Sequence, residues 1–391
     1  MEPSIGSYTL SNLHADESLF TGLRRLRLAL GWTMLLATMV GLFAVIWDIQ
    51  WHITVGRDRT LTMPHLFILG SITVTGLTAL AAVLIETVWA RRSRSVAQQG
   101  TPFARVFSSS LGAYLVGYGA LAAAIAFPLD QYWHTLYGVD VDIWAPFHLM
   151  VLGGMSVACL GVIYLLAESA QMAAELRAQG AERLGYIGVI VACATLLGNL
   201  SFLLPDALKM GYLALGNVIF TVYPLMLGAF ALFVMMLVIR VLPWRAAATS
   251  MTVVYLLLGL VNFLLIPPLM ALNLHLEQQH LLRFASTVPS IAVEWQYGLL
   301  IPAVLLDIIV WVAQRAKWPP RRTHGVTFVV ASIGVSLAAL LYPLFLVTAR
   351  ELPHSNVALV VVISLLLGLL GIWAGYLLGA GIGESMWRKQ S

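Results

Sequence analysis

The stretch Trp47-Asp48-Ile49-Gln50-Trp51-His52 returns further along the chain as Leu129-Asp130-Gln131-Tyr132-Trp133-His134. Each copy closes a long apolar run, crosses a short polar loop and a proline, and meets a second histidine where the next apolar run begins. Aligned, both read D-x-x-W-H, then Gly56 or Gly138, Asp58 or Asp140, Pro64 or Pro146, His65 or His148, and Gly70 or Gly153. Two Asp-His-His sets in matching places are poorly explained by packing alone. The copies also define a unit of two consecutive apolar segments that occurs twice in the same direction.

Composition says where those segments lie. Of 391 residues, 60% are hydrophobic and 10% charged, and the mean hydropathy is +0.88. A soluble domain cannot hide that much apolar surface. Apolar runs of about 20 residues or more recur along the chain, long enough to cross a bilayer core of about 30 Å. The first 23 residues are polar and mixed, so no cleavable signal peptide is expected in front. The net charge of +4 belongs to loops and points away from nucleic acid. The two cysteines, Cys159 and Cys193, sit inside apolar runs, which excludes thiolate clusters and a disulfide framework.

An all-α polytopic membrane protein with ten spans follows, at about 27–50, 65–90, 107–130, 147–172, 184–204, 211–240, 248–270, 291–314, 325–349 and 357–383. Alternating the spans puts seventeen Lys and Arg residues on one side and five (Arg57, Arg59, Lys209, Arg283, Arg350) on the other. This positive-inside bias predicts a bacterial-type plasma membrane topology with both termini cytoplasmic. The motifs then fall near the extracytoplasmic face. Residues 1–24 read as a cytoplasmic tail, 25–90 and 91–178 as two motif-bearing helix pairs, and 179–391 as a six-helix scaffold. A shift of two spans preserves direction, so helix pairs 1-2 and 3-4 form a parallel repeat.

Asp and His four apart stack one turn apart on one helical face, within reach of a single metal ion. The returning helix offers its opening histidine, after a proline suited to a helix start, as a third ligand. Asp48, His52 and His65 make one set; Asp130, His134 and His148 make the other. One carboxylate and two imidazoles suit copper, iron or zinc and leave coordination positions open. A metal also offsets the cost of burying these groups near hydrocarbon. If the pairs pack about a pseudo-twofold axis, both sets face one cavity and a dinuclear site is expected; if they face apart, there are two mononuclear sites.

The spacing Asp48-x3-His52-x12-His65 resembles the intramembrane metal-ligand set of the C subunit of the particulate methane and ammonia monooxygenases. The second copy, Asp130-x3-His134-x13-His148, is one residue longer in the loop. The resemblance spans about twenty residues per copy and implies a copper-type membrane oxygenase with Asp48, His52 and His65 as ligands. This chain differs in carrying two such sets and in its number of spans.

Other polar residues have plainer readings. Glu86 and Glu168 follow His65 and His148 by 21 and 20 residues, about 30 Å along a helix. They cannot share the histidines' metal and belong with the arginines at the other membrane face. Trp47, Trp51, Trp133 and Trp144 read as interfacial anchors. His275 and His280 lie in an outer loop; Glu294 is at a depth where it could join the site. Asp307, deeper in its span, suggests a proton path or a helix contact, and Asn199, Asn217 and Asn262 suggest bonds across helices. Gly371, Gly375, Gly379 and Gly383 form a small-residue stripe for another helix, in this chain or in a partner subunit.

The sequence thus points to a membrane-embedded, metal-dependent oxidoreductase, an oxygenase or hydroxylase of a small or lipid-soluble substrate. Its electrons would come from a quinol or a redox partner, since no flavin, nucleotide or iron–sulfur motif is present. A metal-cation or proton-coupled transporter using the same residues is the second reading, and a bis-histidine haem protein the third.

Overall fold

The computed structural model describes residues 10–55, 61–138, 143–209, 212–215, 218–278, 296–342, 345–346 and 356–387. The helices are α1 (Leu10–Thr54), α2 (Met63–Ala90), α3 (Arg94–Gln98), α4 (Leu111–Tyr137), α5 (Pro146–Glu175), α6 (Gln179–Ser201), α7 (Leu203–Lys209), α8 (Tyr223–Val241), α9 (Ala247–Leu276), α10 (Leu300–Arg315), α11 (Pro320–Leu340) and α12 (Val357–Ser385). Ten of these segments are long and apolar enough to cross a membrane. Two short antiparallel hairpins interrupt the helices, β1 (Thr101–Phe103) with β2 (Phe107–Ser109), and β3 (Tyr212–Leu215) with β4 (Val218–Thr221). The protein is an all-α polytopic integral membrane protein.

Some boundaries depart from the sequence reading. The first helix already begins at Leu10, so much of the expected tail continues the first span. The sixth span begins at Tyr223 rather than near 211, because the apolar residues before it pair as the β3–β4 hairpin.

The repeated helix pairs build a ring. α1 packs on α2, α2 on α4, α4 on α5, and α5 back on α1. Exchanging α1 with α4 and α2 with α5 maps these contacts onto one another, which is the pattern of a pseudo-twofold axis running along the bundle. Local signals start the helices. Thr62 caps α2 by accepting from the His65 N–H at 3.5 Å, with Pro64 in the first turn. Ser110 caps α4 through the Gly112 N–H, and Pro146 opens α5. α4 and α5 approach closely through paired glycines: a Cβ on Gly112 would sit 2.6 Å from the Gly161 carbonyl, and one on Gly161 equally close to the Gly112 carbonyl.

α6 leads from the ring to the second half, packing on α5 and α1 and then on α8 and α9. There the glycine stripe is used within the chain. A Cβ on Gly371, Gly375 or Gly379 of α12 would collide with the carbonyl oxygens of Leu225, Ala229 and Phe233 in α8. The stripe is therefore filled by α8 and is not free for self-association. Asp307 of α10 is likewise architectural: its carboxylate accepts from the N–H groups of Ala248 and Thr249 at 3.1 and 2.7 Å, capping α9 from a neighbouring helix. This is the helix contact expected of it.

Candidate metal centre

Asp48 and His52 lie one turn apart near the end of α1, and α2 returns His65 beside them. His52 Nε2 is 3.5 Å from Asp48 Oδ2, and His65 Nε2 is 3.3 Å from Asp48 Oδ1. The second copy repeats this: His134 Nε2 lies 3.2 Å from Asp130 Oδ2, and His148 Nε2 lies 3.5 Å from Asp130 Oδ1. Within each triad one donor atom per residue lies within 4.8 Å of the others. Each triad could hold a metal ion.

The donor chemistry fits a cation between the residues. Ligands at about 2.0–2.2 Å from a four-coordinate ion are about 3.3–3.5 Å from one another. The observed separations match that edge length and are long for N–H···O bonds, which centre near about 2.9 Å. Asp48 Oδ1 and Asp130 Oδ1 are buried and, among the described residues, receive no hydrogen bond of normal geometry. His134 gives a further sign. Its Nδ1 lies 3.2 Å from the Gly138 carbonyl, which can only accept, so Nδ1 carries the proton. Its Nε2 is thereby turned to the Asp130 carboxylate 3.2 Å away, the orientation a metal-ligating imidazole takes when its other nitrogen is held by a carbonyl.

Gly138 makes this arrangement possible. Its N–H bonds the His134 carbonyl at 3.0 Å while its own carbonyl holds the imidazole. It does so at φ +88°, a conformation glycine adopts without strain. Gly56, Asp58 and Asp140, which complete the repeated motif, lie outside the described residues, as do Asn217, His280 and Glu294. His275 ends α9 as an exposed side chain.

Both triads face the interior of the ring. Seven residues are two helical turns with a drift of about 20°. Two turns from His65, Asp130 and His148 stand Ile72, Ala123 and Met155, which line a cavity of about 10 Å³ at the ring centre, room for roughly one water. Two turns before Asp48 is Gly41, whose Cβ would touch Ser71 and Met155. The donors nevertheless form two groups of three rather than one of six. The edge of the Phe127 ring from α4 packs against His65, centroids 5.5 Å apart. The donors thus form two separate Asp-His-His groups, each of which could hold a metal ion.

Glu86 and Glu168 converge at the far end of the same ring. Arg27 of α1 forks onto Glu86 (Nε to Oε1 3.0 Å, NH2 to Oε2 2.8 Å) and reaches Glu168 Oε2 with NH1 at 3.0 Å. Its NH2 also bonds the Gln99 carbonyl. Ser109 and Ser110 add donors to Glu86, and the Ser110 hydroxyl donates to Glu168 at 2.6 Å. The glutamates are therefore structural and remote from the triads. The sequence reading placed the glutamates with the arginines of this face but did not single out Arg27, which is 1% exposed.

Other expectations fare unequally. Trp47 and Trp51 are core residues, packed with Ile266, Met270 and Leu274 of α9, rather than interfacial anchors. Trp133 and Trp144 are half-buried. Asn199 does bond across helices, to Cys159 Sγ, whereas Asn262 bonds the Leu258 carbonyl of its own helix. Comparison of the chain with protein-family models, curated proteins and solved structures gives no match.

Proposed function

We propose that the protein is a membrane-embedded, metal-dependent oxidoreductase, an oxygenase or hydroxylase of a small or lipid-soluble substrate. Copper is the metal proposed, with iron and zinc as alternatives. The observation that carries the reading is the pair of Asp-His-His triads, each with its Nε2 atoms converging on one carboxylate at metal-edge separations. The resemblance of the spacing to the copper membrane monooxygenases supports the same chemistry.

The residues divide the work simply. Asp48 and Asp130 supply the negative charge that holds a cation in an apolar bundle. His52, His65, His134 and His148 supply neutral donors, and Gly138 fixes the orientation of His134. Three protein ligands leave coordination positions for oxygen or substrate, and a redox-active ion there supplies the one-electron chemistry that side chains lack. The apolar walls favour a lipid-soluble substrate. With Cys159 and Cys193 both buried and free, electrons are drawn from a quinol or a redox partner. The positive-inside bias supports sites toward the extracytoplasmic face.

Transport is the competing use of such ligands. At mid-depth, however, the polar side chains around the central cavity are the hydroxyls of Thr38, Ser71 and Thr75, of which Thr38 and Ser71 donate back to their own helices, and the cavity measures about 10 Å³, a poor path for a passing ion. The test is the metal content of purified protein against a His52→Ala, His134→Ala variant. Stoichiometric copper or iron that disappears in the variant supports the proposal. Well-folded protein without bound metal that carries cations into liposomes overturns it in favour of transport.

A further inference from the structure

The pseudo-twofold axis allows the surroundings of the triads to be compared position by position, and they are not alike. Asp48, His52 and Glu86 recur 82 residues later as Asp130, His134 and Glu168. On the same offset, Gln50 of α1 corresponds to Tyr132 of α4, and Val55 to Tyr137. Gln50 and Val55 are 2% and 1% exposed; Tyr132 and Tyr137 are 62% and 70% exposed. The cause is α9, whose Ile266, Met270 and Leu274 join Trp47, Trp51 and Val55 in one buried cluster. Among the described residues, α4 packs mainly on α2 and α5.

The second difference lies at the opening histidine of the returning helix. His65 has the Phe127 ring against it. The position matching Phe127 in the first repeat is Val45, a smaller side chain. Consistent with this, the His148 side chain is 25% exposed against 11% for His65. His134 is well covered at 7%, so the opening of the second triad is on the His148 side.

We infer that the two triads have unequal roles: Asp48-His52-His65 is a closed site that retains its ion, and Asp130-His134-His148 is the open site where the ion and small exogenous ligands exchange. This rests on the metal-binding reading above and adds which of the two sites meets oxygen and substrate. The physical argument concerns barriers. An ion leaves only when an entering ligand or water can reach it, and a wall of packed side chains must open first. The Phe127 ring against His65 forms that wall at the first site.

The experiment loads the purified full-length protein with copper(II) and follows its release to excess EDTA. Two ions per chain are expected, leaving in two phases. The slow phase is about tenfold slower or more, the effect of a barrier about 1.4 kcal/mol higher. Asp130→Asn should abolish the fast phase and Asp48→Asn the slow one. Two substitutions outside the donor sets sharpen the test: Val45→Phe should slow the fast phase, and Phe127→Ala should hasten the slow one. Release of both ions in a single phase overturns the inference, as does loss of the fast phase in Asp48→Asn. Failure to bind copper, iron or zinc at all would instead overturn the metal-binding proposal beneath it, so the two failures are distinguishable.

Discussion

Replacing Arg27 with methionine should be among the most damaging single changes in the ring. Arg27 donates four hydrogen bonds, three to carboxylate oxygens and one to the Gln99 carbonyl. Its side chain and those of Glu86 and Glu168 are 1%, 2% and 9% exposed. At about 1.5–3 kcal/mol per charged hydrogen bond, the gross loss is about 6–12 kcal/mol. That figure is an upper bound, because the glutamates rearrange and water enters. Breaking one side of a buried pair typically costs about 3–5 kcal/mol, and that is the expected loss. Most of it is the penalty of two orphaned carboxylates rather than lost attraction. A triple variant, Arg27→Met with Glu86→Gln and Glu168→Gln, should therefore recover much of the stability. Unfolding in detergent can be followed through the twelve tryptophans. A single variant within about 1 kcal/mol of the parent, the range of a surface ion pair, would refute the reasoning. So would a triple variant no more stable than the single one.

Three further outcomes are expected. Gly138→Ala forces an L side chain to φ +88° at a cost of order 1–3 kcal/mol and loosens the carbonyl on His134. Copper titration should show the second site weakened about 10–100-fold and the first unchanged. Gly375→Leu drives a side chain into the Ala229 carbonyl and should cost about 3 kcal/mol. Gly381→Leu, with no atom within 4 Å of a new Cβ, should stay within about 0.5 kcal/mol in the same unfolding assay. Asp307→Ala uncaps α9 by freeing the Ala248 and Thr249 N–H groups and should cost about 1–2 kcal/mol, read from the unfolding midpoint.

The residues that could be read from sequence are those whose partners are close in the chain or whose environment is imposed from outside. Spans were legible because the bilayer dictates their length. The triads were legible because Asp-x3-His is a local helical geometry and Pro-His a local helix start. Span six was misplaced because Tyr212–Leu215 and Val218–Thr221 are as apolar as a helix; the turn signal Gly216-Asn217 between them was the available warning. Arg27 was not singled out because its partners lie 59 and 141 residues away. Trp47 and Trp51 looked like anchors because a tryptophan near a helix end reads the same whether lipid or α9 covers it. The cover over His65 depended on Phe127, whose meaning appears only once α2 and α4 are neighbours.

The arginine shared by two glutamates at the far end of the ring has a consequence for how the halves can be recombined. Ser109 of the second repeat stands where Arg27 stands in the first, while each repeat supplies one glutamate. Two copies of the first repeat would bring two arginines to two glutamates. Two copies of the second would bring two glutamates and no cation, which the bilayer interior would not tolerate. The native pairing shares one cation between both carboxylates. The halves are alike enough to close a ring and too different to replace each other, so the need for one of each is written into one buried charge.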